Sequence, residues 1–314
     1  MKILYVDPYS DTPHSKNYLY YEGLYHALTK KHKVFLIRDC FTDYNDIKND
    51  IPFIPDIVLF GLSWFEKHKY FDKIKNLEMF KVCYIFKPSV HFEEKKHFCK
   101  INEIDLIITP HTFFNELSKK LDTKALLFPY GFDPDIFFPR SLEKLYDFGF
   151  SGALHHQTNY PVGAFINPNI REKAHDLIVN MKCINYFWKS TDKLETARIH
   201  DNVEYAETIN KSKIWMATQA AYGDITPRYF EIMGSGSLLF CEQSPIEYKN
   251  IFKNNINCIE FQNSLQNFVV KLKKILRNRA ELSKIGNQAC IEAHEKHTWD
   301  ERSDYLINII NKNN

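Results

Sequence analysis

The sequence contains no C-x-x-C pair. Its seven cysteines, Cys40, Cys83, Cys99, Cys183, Cys241, Cys258 and Cys290, are odd in number and at least 16 residues apart. That spacing excludes a disulfide framework and a cysteine zinc site, and leaves reduced, mostly buried thiols. Nowhere do 18 apolar residues run together, and the opening MKILYVDPYS has too short an apolar stretch for a signal peptide. The expectation is a soluble, cytoplasmic protein. Charge of one sign is also scarce: 41 Lys and Arg stand against 39 Asp and Glu, a net charge of +2, with the lysines spread along the chain. Clustered phosphate contacts are what a nucleic-acid binder needs, so no nucleic-acid partner is expected. The densest basic run, KLKKILRNR at 271–279, has helical spacing. It reads either as a solvated helix face or as a peripheral contact with an anionic membrane surface. There is no internal repeat at solenoid spacing.

Aromatic residues, in contrast, are abundant: 25 Phe, 18 Tyr and 4 Trp make up 15% of the chain. Aromatic cores account for most of them, and ring-stacking on sugars or bases is open to a few. A chain of 314 residues exceeds one ordinary hydrophobic core, so two domains of roughly 150 residues are expected. Strand-length apolar runs at 2–6, 33–37, 56–61, 81–86, 105–109 and 124–128 alternate with helical periodicity, such as NYLYYEGLYHALTKK at 17–31. Strands without polar alternation, separated by helices, imply a parallel sheet covered on both faces. FPYGFDPDIFFPRS at 128–141 interrupts this rhythm with three prolines and a glycine and reads as a connector. A second series follows: strands at 147–152, 213–218, 237–242 and 257–261, helices at 170–181 and 246–252, then long helical sequence. The fold class is therefore α/β, with an N-terminal domain at 1–140, a C-terminal domain at 141–296 and a closing segment at 297–314.

TPRYFEIMGSGSLLF at 226–240 carries the chemistry. Thr226 and Pro227 make a helix start, and Gly234 and Gly236 end the helix after about two turns. The preceding run KIWMAT delivers the chain to the loop QAAYGD at the carboxyl end of a strand, the edge where open α/β sheets bind ligands. A helix N-terminus there suits a phosphate. Arg228 can grip phosphate oxygens, and Glu231, one turn on and on the same face, can accept bonds from ribose hydroxyls. The alternative is an exposed i, i+3 ion pair contributing only ~0.2–0.5 kcal/mol. DPD at 133–135 fits a D-x-D metal pattern but lies in the connector, where turn chemistry explains it. No metal is expected.

Four stretches resemble the GT-B glycosyltransferases of the group 1 type, related to glycosyltransferase family 4 and to CgeB-like spore proteins. They are LLFPYGFDPDIFFP at 126–139, DFGFSGAL at 147–154, TPRYFEIMGSGSLLF, and HTWDERSDYLINII at 297–310. The resemblance implies two Rossmann-like doubly wound domains facing a central cleft, with a C-terminal helix crossing back to the first domain. It implies transfer of a sugar from a nucleoside diphosphate sugar, UDP- or GDP-linked, to a glycan or other hydroxyl acceptor, with retention and without a cofactor. Glu231 stands at the position of the ribose-binding glutamate. Arg228, Thr226, Tyr229, Gly152 and Arg171 are the implied donor-binding residues, and His91 and Asp224 the implied catalytic ones. Asp11 and His14 fall on the acceptor side, and His155 and His156 lie after the FSG turn. Two departures from the family pattern stand out. The E-x7-E pair needs an acid at 223, where the chain has Gly223 with Asp224 beside it, and the glycine pair after the first strand is replaced by YSDTPHSKN. A nucleotide-sugar epimerase or hydrolase, or a non-catalytic nucleotide- or glycan-binding protein, remain the alternatives on the same fold.

Overall fold

The computed structural model describes the whole chain except residues 8–21, 39–40, 63–72, 87, 89–90, 153–169, 191–198, 200, 221–222 and 263. Asp11, His14, His155 and His156 lie outside the described residues. Two compact units divide the chain: Met1–Pro129 together with Trp299–Asn314, and Tyr130–Thr298.

The first unit is built on six parallel strands, β1 (Lys2–Val6), β2 (Lys33–Ile37), β3 (Ile57–Leu62), β4 (Phe80–Ile85), β5 (Leu106–Thr109) and β6 (Ala125–Leu127), in the order β2-β1-β3-β4-β5-β6. Leu4, Val58, Phe60, Cys83 and Ile107 form the buried centre, as expected of strands apolar on both faces. Strand entry is tied by aspartates: the Lys2 N–H donates to Asp56 Oδ2 at 2.7 Å and the Lys81 N–H to Asp105 Oδ2 at 2.7 Å. Helices α1 (Glu22–Lys31), α2 (Phe92–Ile101) and α3 (Phe114–Leu121) connect the strands.

The last helix, here α9 (Trp299–Asn313), belongs to this unit and packs along α1. Lys30 and Lys31 bind Asp300 at 2.9 Å and Asp304 at 2.6 Å. A Cβ on Gly23 would fall inside the Trp299 ring, so only glycine admits α9 this closely.

In the second unit five parallel strands, β7 (Tyr146–Gly152), β8 (Tyr186–Ser190), β9 (Ser212–Ala217), β10 (Leu238–Glu242) and β11 (Ile259–Phe261), run in the order β11-β10-β9-β7-β8. Around them lie α4 (Ile170–Val179), α5 (Asn202–Asn210), α6 (Pro227–Gly234), α7 (Phe268–Arg277) and α8 (Arg279–Lys296). Phe148, Phe240, Phe261 and Phe268 pack edge to face or tilted at the centre, with centroids 5.0–6.3 Å apart. Much of the aromatic excess goes here.

The connector at 130–140 packs within this second unit. Its Phe132 N–H donates to the His297 carbonyl at 3.3 Å and the Arg140 N–H to Asn210 Oδ1 at 2.7 Å. Asp133 Oδ1 accepts from the Asp135 N–H at 2.9 Å, closing a turn across DPD.

The helix expected at 246–252 is instead a single 3-10 turn, Ile246–Tyr248, followed by further turns. Asn257 explains the stop: its Oδ1 accepts from the Lys253 N–H and its Nδ2 donates to the Ile251 carbonyl, both at 2.7 Å. That side chain takes backbone groups a longer helix would use.

Candidate active site

Strand order in the second unit reverses at β7: the chain crosses from β7 to β8 on one side and then to β9 on the other. In doubly wound sheets ligands bind at the carboxyl ends of the strands flanking such a reversal. Those ends are Gly152 on β7 and Ala217–Gln219 after β9.

Helix α6 begins beside this edge. Tyr229, Phe230, Ile232 and Met233 are buried and fix its rotation, leaving Arg228 and Glu231 half-buried on the remaining face. Its far end is satisfied by α8, where Cys290 Sγ and His294 Nε2 lie 3.5 and 2.9 Å from the Gly234 carbonyl. At its start Thr226 is extended, with φ −107° and ψ 159°, and its side chain makes no capping bond. The Thr226 hydroxyl is buried without a hydrogen-bond partner among the described residues. A helix start with a spare hydroxyl and unpaired N–H groups is suited to an anionic ligand.

Two guanidiniums converge on one ring. Arg228 lies 5.9 Å and Arg171 5.8 Å from the Phe150 centroid, which places the two charges within about 12 Å of each other. Each is aimed by a hydroxyl: Arg228 Nε donates to the Tyr205 hydroxyl at 3.1 Å, and Arg171 Nε to Thr218 Oγ1 at 2.7 Å. Gly152, the residue after Ser151 at the end of β7, has φ +148°, and a Cβ there would sit 3.2 Å from Arg228 Nη1. The backbone conformation favours glycine, and a Cβ would also push the Arg228 guanidinium aside by a few tenths of an ångström.

Burial and charge tune the cluster. Burial raises Glu231 to about 7, against the opposing pull of Arg228. Burial likewise raises Tyr205 to about 12, with Glu231 adding to it and Arg228 opposing. For Arg228, burial acts downward, but Tyr205 and Glu231 outweigh it and the guanidinium is held more firmly charged than usual. The loop after β9 is fixed in turn: the Gln219 N–H donates to Glu242 Oε2 at 2.9 Å, and Ala220 N–H to the Asp224 carbonyl at 2.8 Å across Gly223, φ +77°. Asp224 is buried on this loop, 5% exposed.

The structure thus brings together Gly152, Arg171, Arg228 and Glu231, with Thr226 and Asp224 on the segment leading into α6. It sets Tyr229 apart, with its ring against Phe252 at 5.1 Å and its hydroxyl donating to the Glu242 carbonyl at 3.4 Å. His91 belongs to the first unit, where it precedes α2 with φ 50° and Nδ1 lies 3.6 Å from Glu94 Oε1. Tyr205, Thr218 and Glu242 complete the site without having been legible as motifs, and Phe150 lies within DFGFSGAL without having been singled out. Position was the available signal, since Phe150, Thr218 and Glu242 all stand at carboxyl ends of β7, β9 and β10.

Residues 165–308 match the family model for glycosyl transferase-like proteins. The chain has the GT-B fold. Solved structures share this fold across almost the whole length of the chain. Sucrose-phosphate synthase from Thermosynechococcus elongatus is 9% identical with a TM-score of 0.59, covering 99% of both chains. HepE of Anabaena in complex with UDP is 9% identical with a TM-score of 0.57, covering 99% of this chain and 100% of its own. A glycosyltransferase from Rickettsia africae is 12% identical with a TM-score of 0.55, covering 98% and 97%. No curated protein sequence matches the chain. Among its described residues, no helix is long and apolar enough to cross a membrane.

Proposed function

We propose that the protein is a glycosyltransferase that takes its sugar from a nucleoside diphosphate sugar held at the carboxyl edge of the second sheet and transfers it to a hydroxyl acceptor. The observation that carries the reading is the pair Arg171 and Arg228, flanking Phe150 at the strand reversal beside the start of α6. Anabaena HepE, which shares the fold, forms complexes with UDP and with UDP-glucose, and a uridine diphosphate donor is the first candidate.

In this reading the diphosphate lies against the two guanidiniums and the α6 N-terminus, and Thr226 donates its spare hydroxyl. Glu231 accepts from the ribose hydroxyls, and Asp224 stands toward the sugar. The bond from anomeric carbon to diphosphate oxygen breaks as the acceptor oxygen bonds to that carbon, with retention of configuration. His91 takes the acceptor's proton, and Asp11 and His14 serve the acceptor side. Preorganised positive charge stabilises the leaving diphosphate, so the reaction needs no metal and no cofactor. A glycan is the acceptor class proposed.

Calorimetry against UDP, GDP, CDP and TDP tests the donor assignment. One diphosphate should bind selectively, and Glu231→Ala should weaken it while the melting temperature holds. Equal binding by wild type and Glu231→Ala would remove Glu231 from the site. Turnover that survives EDTA, and NMR of the product's anomeric proton, test metal independence and retention. A second reading, nucleotide binding without transfer, is favoured by one observation: glycine at 223 where an acid is expected. Tight diphosphate binding with no sugar transfer to any acceptor would select it.

A further inference from the structure

On the opposite, amino-terminal edge of the second sheet lies a cavity of about 830 Å³. It is framed by the starts of β7 and β9, the turn after α4, and the junction of α7 with α8. Its size is that of a small-molecule site.

The lining is strongly one-signed. Lys144, Lys182, Lys213, Lys273, Arg277 and Arg279 face a single carboxylate, Asp147, which Lys213 already binds at 2.6 Å. Lys144 donates to the Ser212 carbonyl at 3.0 Å, a bond that leaves its charge unmatched. Lys182, Lys273, Arg277 and Arg279 form no ion pair among the described residues. Elsewhere in the same unit cations in comparable settings are matched, Lys249 to Glu260 at 2.7 Å and Lys253 to Glu292 at 2.9 Å. Crowding unpaired cations around a cavity costs mutual repulsion, which a bound anion relieves. Between them Leu276, Leu282 and Met181 give the wall an apolar component, which suits a ligand with an organic body as well as charge.

We propose that this cavity is a second binding site, for a phosphate-bearing molecule, separate from the donor edge. Asp147 and Gly152 mark the two ends of β7, five residues and roughly 17 Å apart, so one ligand does not occupy both edges. The phosphate belongs either to a soluble phosphorylated molecule or to a lipid headgroup, and the chemistry of recognition is the same. Lysines and arginines at such a site act as point charges and bidentate forks for phosphate oxygens.

The test uses the full chain carrying Arg228→Ala throughout, so that the donor-edge arginine is removed from every comparison. Inorganic pyrophosphate is titrated by calorimetry, and vesicles of phosphatidylserine with phosphatidylcholine are compared with phosphatidylcholine alone by cosedimentation. Adding Lys273→Glu with Arg277→Glu, both exposed, should weaken pyrophosphate at least tenfold or abolish the phosphatidylserine-dependent sedimentation. Loss in the first arm identifies a soluble ligand and loss in the second a headgroup. The milder pair Lys182→Ser with Arg279→Ser should shift the same arm in the same direction. Binding unchanged by both pairs in both arms, or absent from both arms before any cavity substitution, overturns the proposal.

Discussion

The two edges of the second sheet collect positive charge in different ways. At the carboxyl edge Arg171 and Arg228 are half-buried, each bonded to a hydroxyl and set over one aromatic ring. At the amino edge, the four unpaired cations are exposed and held by nothing but their own stems. Fixed guanidiniums place charge where a transition state develops it and need no reorganisation. Exposed lysines and arginines adapt to the ligand instead, and their attraction falls with salt. One arrangement suits catalysis, the other recognition.

The largest break in that contrast should come from Arg228→Ala, expected to lower turnover about 10²–10³-fold, the loss typical of one preorganised donor. Its melting temperature should change far less, as steady-state kinetics beside a thermal scan would show. Gly152→Ala comes next. It forces a side chain into φ +148° and against Arg228, strain of ~1–3 kcal/mol, and should cost about tenfold in kcat with a measurable loss of stability.

A third prediction uses pH. Glu231 titrates near 7 when folded against an ordinary value of 4.5. The folded state therefore holds the proton more tightly between those values, and stability falls as pH rises through that window. Glu231→Gln should remove this slope, worth on the order of 2 kcal/mol, in chemical unfolding at pH 4.5 and pH 8. Diphosphate affinity should rise through pH 7 in wild type and stay flat in Glu231→Gln, because ribose hydroxyls need the ionised carboxylate. Thr218→Val, which takes away one partner of Arg171, is the smallest test. A loss of ~0.5–1 kcal/mol, the net contribution of one hydrogen bond, should appear mainly as weaker donor binding.

Sequence reading was strongest where physics is local and repetitive. Unbroken apolar runs marked the buried strands, because a sheet covered on both faces leaves no polar positions. It missed β8, an edge strand whose Tyr186–Ser190 is only half-buried, and α5, whose start depends on Asp201 accepting from the Glu204 N–H at 2.8 Å. At the site, Arg228 and Glu231 stood out because residues three apart on a helix share a face. Tyr229, one residue along, is turned about 100° away by the same geometry, into the core against Phe252. Tyr205 was invisible: its role comes from α5 packing beside Arg228, a contact across 23 positions of sequence that no spacing encodes.

One feature of the first unit bears on how the molecule is made. Its last helix, Trp299–Asn313, lies beyond all of the second unit in the chain, yet covers Gly23 on α1 near the beginning. On the ribosome the six-stranded sheet emerges early with that covering absent, and α1 keeps an uncovered face while some 170 residues are synthesised and begin folding. The whole second unit can therefore form before the first is finished, and the closing helix acts as a seal set last. A chain that contains α1 but stops short of residue 299 lacks the Trp299 ring that covers Gly23.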